Sequence, residues 1–332
     1  MARPLVVVLT DTNMAQRVMS QQAWGKLASF AEVRRNPSHH PLAGTELAEL
    51  LSGADGCMTA WGSRPMDAAA MSQAPQLRII AHSAGSVKPI VTDTVWERGI
   101  VVTSAAPAIA VDVAETTLAL MIVSIKRVFQ LNRDTHAGYW RNGPGSQSQE
   151  MNGKFVGLIG AGHVGRRVIE LLKMFEVRIL VYDPYITEQQ AQAMGVTKVS
   201  LEELLTQSDI ISLHAPATAE AKHLLNAGNL KLIKEGAVFI NTARGHCIDE
   251  KALINELETG RFFACIDVTD PEPPAADNRL RQLDNVVLTP HIAGCITNCT
   301  RLGELAAEEL RRFFANESPL YPVTCEMLNR VA

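Results

Sequence analysis

Short runs of apolar residues recur along the chain, and between them apolar residues fall three or four apart. In the first third, strand-like runs occupy residues 5–10, 32–36, 57–60, 78–81 and 100–104, with helix-period stretches such as 46–52 and 93–98 among them. A second series covers 155–160, 178–182, 209–213, 237–241, 263–267 and 285–289, separated by helical stretches that include 201–207 and 250–259. Runs that are apolar throughout suit strands covered on both faces. Their alternation with helices predicts an α/β fold built on parallel sheets. The apolar stretch 111–129 predicts a long helix, and residues 142–153, rich in Gly, Ser and Gln, predict a loop. A last helical stretch, 296–316, follows the second series. The economical topology returns it to the first series. The chain is then expected to form two doubly wound parallel-sheet domains, with residues 105–294 inserted between 1–104 and 295–332. Crossings near 104–110 and 291–297 would act as hinges, with a cleft between domains as the default ligand site.

Bulk properties narrow the function. A chain of 332 residues can bury two cores. A formal net charge of −4 argues against a nucleic-acid or anionic-membrane partner. The apolar run at 5–9 is too short for a signal peptide, and no small-residue cleavage site follows it. The longest helix-like apolar stretch, 118–125, falls well short of a membrane span. Six cysteines, at 57, 247, 265, 295, 299 and 325, show no CxxC spacing. They read as reduced thiols of a cytoplasmic protein rather than a disulfide frame or a metal site. Cys295 and Cys299 have the spacing of one helix face, and buried thiols are the simpler account.

The sharpest local signal is Phe155-Val-Gly-Leu-Ile-Gly-Ala-Gly-His-Val-Gly165, followed by Arg178-Ile-Leu-Val-Tyr-Asp183. It reads as strand, glycine-rich turn, helix start, second strand and acidic tip. Gly160 permits a tight turn, Gly162 lets the backbone approach a pyrophosphate, and Gly165 lets helix and strand pack closely. The helix start offers N–H groups to phosphates. Asp183, 18 residues after Gly165, is spaced to take the ribose hydroxyls of NAD. A glycine fingerprint alone is weak; the flanking strands and the acid at this interval make it specific.

Three polar groups follow later strands: Arg244 after 237–241, Glu272 after 263–267 and His291 after 285–289. In doubly wound sheets, ligands bind beyond the carboxyl ends of the strands. Reduction of a 2-oxo acid needs a fork of donors for the carboxylate and carbonyl, which Arg supplies and Lys does not. It also needs a proton donor, for which His is suited, and a neighbouring carboxylate orients the ring and favours its charged form. Taken singly, each residue also reads as an ordinary turn or loop residue. His39, His40, His136, His223 and His246 have no supporting context, whereas His82 and His214 stand at strand ends.

In order along the chain, Arg98-Gly-Ile100, Val113-Ala-Glu115, the fingerprint, Leu213-His-Ala-Pro216, residues 241–245, residues 267–273 and Pro290-His-Ile-Ala-Gly294 resemble the D-isomer-specific 2-hydroxyacid dehydrogenases. The resemblance covers nearly the whole chain. It implies a Rossmann NAD domain inserted in a flavodoxin-like substrate domain, with NAD as cofactor and no metal. By the same resemblance, Arg244, Glu272 and His291 match the catalytic trio. His163, Val164, Asp183, His214, Ala215, Pro216, Thr242, Ala243 and Asp267 match cofactor contacts, beside Gly160, Gly162 and Gly165. Where the family's substrate loop reads Gly-x-Gly-x-Asp-Asn, this chain has Ala84-Gly-Ser-Val-Lys-Pro89. Donors for a substrate carboxylate are expected at Ala84, Gly85 and Ser86, with Trp61 on another pocket wall. Gly85 stands where phosphite dehydrogenases carry Lys, and Glu272 where formate dehydrogenases carry Gln, so neither substrate is expected. A small 2-oxo or 2-hydroxy acid fits, and the family implies a homodimer, with helix 111–129 read equally as its interface or as core. A second reading is an NAD-sensing, corepressor-like binding protein of the same superfamily.

Overall fold

A computed structural model describes residues 3–143 and 147–330. Part of the expected loop at 142–153 therefore lies outside the described residues, as do the outermost positions of both termini. The chain divides into two compact units, one ending at Ile109 and resuming at Cys295, the other spanning Ala110–Gly294. The strands are β1 (Leu5–Val8), β2 (Glu32–Arg35), β3 (Gly56–Thr59), β4 (Ile79–His82), β5 (Val101–Ser104), β6 (Phe155–Ile159) and β7 (Arg178–Tyr182). They continue with β8 (Thr197–Lys198), β9 (Ile210–Leu213), β10 (Val238–Asn241), β11 (Phe263–Ile266), β12 (Val286–Leu288) and β13 (Pro322–Val323).

The first unit holds a sheet ordered β13-β5-β4-β3-β1-β2, and the second one ordered β12-β11-β10-β9-β6-β7-β8. The first contains the 2-1-3-4-5 order of flavodoxin-like sheets, and the second is the 3-2-1-4-5-6 Rossmann order with one further strand. Side chains alternate across each sheet, as a period of two requires. In the first sheet Val7, Cys57, Ile80 and Val102 pack with Leu47 and Leu51 on one face. Val6, Val8, Met58 and Ile79 pack with Leu27, Leu302 and Leu310 on the other. In the second, Ile211, Phe239 and Ala264 share a core with Leu204 and Leu253. Val156, Val238, Ile240 and Phe263 share the opposite core with Met121, Val168 and Leu172.

Four expectations need correction. β13 pairs antiparallel with β5, so the first sheet is not wholly parallel. Its Pro322 lies on an edge strand, where a missing N–H is tolerated. The helix expected at 111–129 runs Ala106–Ile125 and stops before Arg127, whose φ of 55° is left-handed; a second helix covers Val128–His136. The Arg127 guanidinium donates to the Gly236 carbonyl at 3.0 Å, which draws the chain out of the helix. At 20 residues, Ala106–Ile125 is long and apolar enough to cross a membrane, contrary to the estimate from 118–125 alone. Its buried positions include Ala114, Thr117, Met121, Ser124 and Ile125. Thr117 bonds Thr242 at 2.8 Å and Ser124 bonds Cys265 at 3.1 Å, the contacts of a core helix. The C-terminal helix covers Thr300–Phe314 with Cys299 as its N-cap, so Cys295 and Cys299 do not share a helix face.

That helix belongs to the first unit. Its buried side includes Leu302, Gly303, Ala306, Ala307 and Leu310, and a Cβ on Gly303 would collide with the Val18 carbonyl. Glu309 is buried and accepts the Leu320 and Tyr321 amides, each at 2.7 Å, which sets β13 against the sheet. Glu309→Ala should leave both amides unpaired and cost about 2 kcal/mol, since hydrogen bonds to charged groups contribute about 1.5–3 kcal/mol. Chemical denaturation of wild type and variant, followed in the first unit, tests this; an unchanged midpoint would contradict it.

Candidate active site

The glycine-rich turn between β6 and the helix His163–Leu172 has the shape the fingerprint requires. Gly160 sits at φ 102° against the His214 main chain. A Cβ on Gly165 would strike the Gly160 carbonyl, whereas one on Gly162 would meet nothing within 4 Å. The main-chain N–H groups of Gly162 and Val164 have no acceptor among the described residues. Asp183, just past β7, accepts the Ala161 amide at 2.7 Å through Oδ2 and the Tyr185 amide at 2.8 Å through Oδ1. Its carboxylate therefore fixes the turn. Open space over Gly162, free amides at a helix start and an anchored carboxylate fit a dinucleotide. His163 opens the helix on its exposed side, and Ala215 and Pro216 follow the buried His214 after β9.

Arg244, Glu272 and His291 come from three neighbouring strands. Residues 241, 266 and 288 are aligned across β10, β11 and β12, so the loops after them start side by side. The Gly245 backbone packs directly on Thr269 and Asp270. His291 Nδ1 lies 2.7 Å from Glu272 Oε1, and both side chains are about half exposed. The Arg244 guanidinium bonds the Ala243 carbonyl at 2.6 Å. No hydrogen bond or ion pair joins Arg244 to Glu272 or His291.

Asp267 is buried, and its carboxylate is engaged from one side. It accepts Thr289 Oγ1 at 2.6 Å, the Ile292 amide at 2.8 Å and the Ala293 amide at 2.9 Å. Its own carbonyl accepts the His291 amide at 2.9 Å. Asn241 pins the Arg244 loop in the same way, accepting from Ala243 at 3.0 Å and donating to the Arg244 carbonyl at 3.1 Å. Thr242 is turned to Thr117. Asn241 and Thr289 had no assigned role from sequence; a polar residue at the last position of an apolar strand was the available signal.

In the first unit, Ala84, Gly85 and Ser86 follow β4. The Gly85 and Ser86 amides have no acceptor among the described residues. Trp61 is 37% exposed, with the Arg17 guanidinium 5.9 Å from its ring centroid. No cluster of three or more metal-ligating side chains occurs among the described residues.

Residues 118–293 match the family model for the D-isomer specific 2-hydroxyacid dehydrogenase, NAD binding domain. The chain belongs to this family. It is 32% identical over 327 residues to a glyoxylate reductase of Aeropyrum pernix, covering 96% of this chain and 95% of that one. It is 35% identical over 247 residues to the D-3-phosphoglycerate dehydrogenase of Archaeoglobus fulgidus, covering 74% of this chain and 47% of the relative. The chain thus spans about half the length of the phosphoglycerate dehydrogenases it matches. Among solved structures, the TT0316 protein from Thermus thermophilus aligns with a TM-score of 0.74 at 31% identity, over 96% of this chain and 100% of that one. D-2-hydroxyisocaproate dehydrogenase shares the fold, with a TM-score of 0.79 at 23% identity over 97% of this chain and 99% of that one.

The family's cofactor domain and the chain's two buried imidazoles each lead to a prediction. Pro184 and Tyr185, not an Arg, follow Asp183. The carboxylate repels a 2′-phosphate, so NADH should outperform NADPH by at least about tenfold in kcat/KM, roughly 1.4 kcal/mol. Asp183→Ser should narrow the gap, and equal use of both cofactors by wild type would contradict the assignment. Burial pushes His82 down to about 4 and His214 down to about 3. Unfolded, both protonate near 6.5. The unfolded chain then binds more protons below that pH, so the stability that neutral imidazoles contribute is full above about 6.5 and falls with pH. The loss by pH 5 should reach about 2 kcal/mol per residue. Thermal melts of the protein without nucleotide between pH 7 and 5 should show it, with a shallower slope for His214→Leu. Parallel slopes would contradict the burial account.

Proposed function

We propose that the chain reduces small 2-oxo acids with NADH and oxidises the matching D-2-hydroxy acids with NAD. The observation that carries this reading is the Glu272–His291 pair, held at adjacent strand ends beside Arg244 on the sheet that bears the dinucleotide fingerprint. NAD, when bound, supplies or accepts the hydride. Arg244 offers a planar fork to the substrate carboxylate and carbonyl oxygen. In the first unit, the Gly85 and Ser86 amides are read as donors for a carboxylate. Glu272 occupies His291 Nδ1, which leaves Nε2 to give its proton to the carbonyl oxygen in reduction and to take the hydroxyl proton in oxidation.

The substrate is read as glyoxylate, hydroxypyruvate or a short-chain analogue. The glyoxylate reductase of Aeropyrum pernix, matched along nearly its full length, supports a small acid. NADH oxidation with a panel of 2-oxo acids tests the reading. Clear superiority of 3-phosphohydroxypyruvate would overturn the small-acid assignment. Tight NADH binding with no turnover on any acid would favour the NAD-sensing alternative. We further read the protein as a cytoplasmic homodimer, and sedimentation tests the oligomeric state.

Arg244→Lys keeps the charge and loses the fork, so kcat/KM should fall by at least about tenfold, and Arg244→Ala should fall further with NADH affinity intact. A near-normal kcat/KM in the Ala variant would remove Arg244 from the site. Glu272→Ala frees the imidazole to rotate and should lower kcat about 10²-fold or more, the scale of general acid–base contributions. Wild-type kcat in that variant would dissolve the pair.

A further inference from the structure

Three neighbouring strands of the first sheet end on a polar residue. β3 reads Gly-Cys-Met-Thr59, β4 reads Ile-Ile-Ala-His82 and β5 reads Val-Val-Thr-Ser104. Register aligns these three end residues: Thr59 pairs with His82, and His82 with Ser104. All three are buried, none more than 7% exposed. Burying three polar side chains in a row is costly unless each is bonded, and an aliphatic residue would fill the same place without that demand.

Their bonds converge on one segment. Thr59 Oγ1 lies 2.9 Å from His82 Nδ1. The Thr59 carbonyl accepts both the amide and the hydroxyl of Ser83, at 2.8 and 2.7 Å. The His82 ring also hydrogen-bonds to the Ser86 main chain. Ser104 Oγ donates to the Gly85 carbonyl at 2.6 Å and lies 3.3 Å from the Ala84 carbonyl. The Ala105 amide lies 2.9 Å from the His82 carbonyl and 3.1 Å from that of Ala84. A neutral imidazole accepts at one nitrogen and donates at the other, which suits a hydroxyl on one side and a carbonyl on the other. The carbonyls of this segment are thus turned inward onto the brace, while the Gly85 and Ser86 amides have no acceptor among the described residues.

We propose that Thr59, His82 and Ser104 are positioning residues that brace the Ala84–Ser86 main chain so that its free amides receive the substrate carboxylate. The proposal rests on the 2-oxo-acid reading above and adds three residues to it, none of which touches the substrate. It also accounts for how a loop lacking the usual Asp-Asn can keep its shape: the strand ends hold it from beneath.

The test is steady-state kinetics on the best 2-oxo acid with wild type, Thr59→Val, Thr59→Ser and Ser104→Ala. Thr59→Val preserves shape and removes the hydroxyl. It and Ser104→Ala should each raise KM for the acid about fivefold or more, with KM for NADH unchanged and kcat within about threefold. Thr59→Ser should restore the wild-type KM. A variant that had merely lost folded protein would lose kcat at constant KM, and that pattern would overturn the proposal. Unchanged kinetics in both hydroxyl-deleted variants would also overturn it while leaving the dehydrogenase reading in place. Absence of turnover by wild type would overturn the reading and the brace together.

Discussion

The Asp267 carboxylate takes three hydrogen bonds from the segment that follows β12, and its own carbonyl takes the His291 amide. Burial makes a bare carboxylate very unfavourable, and charge-assisted bonds from Thr289, Ile292 and Ala293 offset that cost. Once they form, the segment has little freedom left. His291 is held at φ 53°, a left-handed conformation that a non-glycine residue adopts only when its surroundings impose it. The imidazole then meets Glu272 from the neighbouring loop. Asp267 thus sets the geometry of the His291–Glu272 pair.

The same device recurs. Asn241 ends β10 and pins the Arg244 loop through both of its amide atoms. Asp183 follows β7 and ties the glycine-rich turn to its own loop. Thr59, His82 and Ser104 end strands of the first sheet. In each case an apolar strand fixes a position along its axis by burial, and a polar residue at its carboxyl end converts that position into a loop shape. The functional groups can then be carried on loops, exposed to ligands, without losing definition.

Much of this was legible in the sequence. Eleven of the thirteen strands among the described residues lie within about two residues of the expected runs, most of them apolar because a strand buried on both faces admits few polar residues; the two-residue strands β8 and β13 carry no such run. The fingerprint and Asp183 were readable because their spacing follows from backbone sterics. Elements that depend on local capping or distant contacts were harder to see. The helices Thr12–Val18 and Gln21–Phe30 are short, and their signals are single caps, Asp11 and Ser20. β13 is two residues long and exists through Glu309, eleven and more residues away. The break at Arg127 depends on the Gly236 carbonyl, far along the chain. At the candidate site, Arg244, Glu272 and His291 could be singled out from residue type and order. The residues that hold them, Asn241, Thr289 and the strand-end brace, draw their meaning from pairing that only the fold reveals.

The central claim is that His291, held by Asp267 and paired with Glu272, moves the proton in a D-specific reduction. Its most direct test is chiral analysis of the product formed from NADH and a prochiral 2-oxo acid such as hydroxypyruvate, by wild type and by His291→Ala. The account predicts the D-2-hydroxy acid from wild type and at least about a 10²-fold lower rate from the variant, in both reaction directions, with NADH binding retained. Formation of the L product, or a variant as fast as wild type, would contradict it.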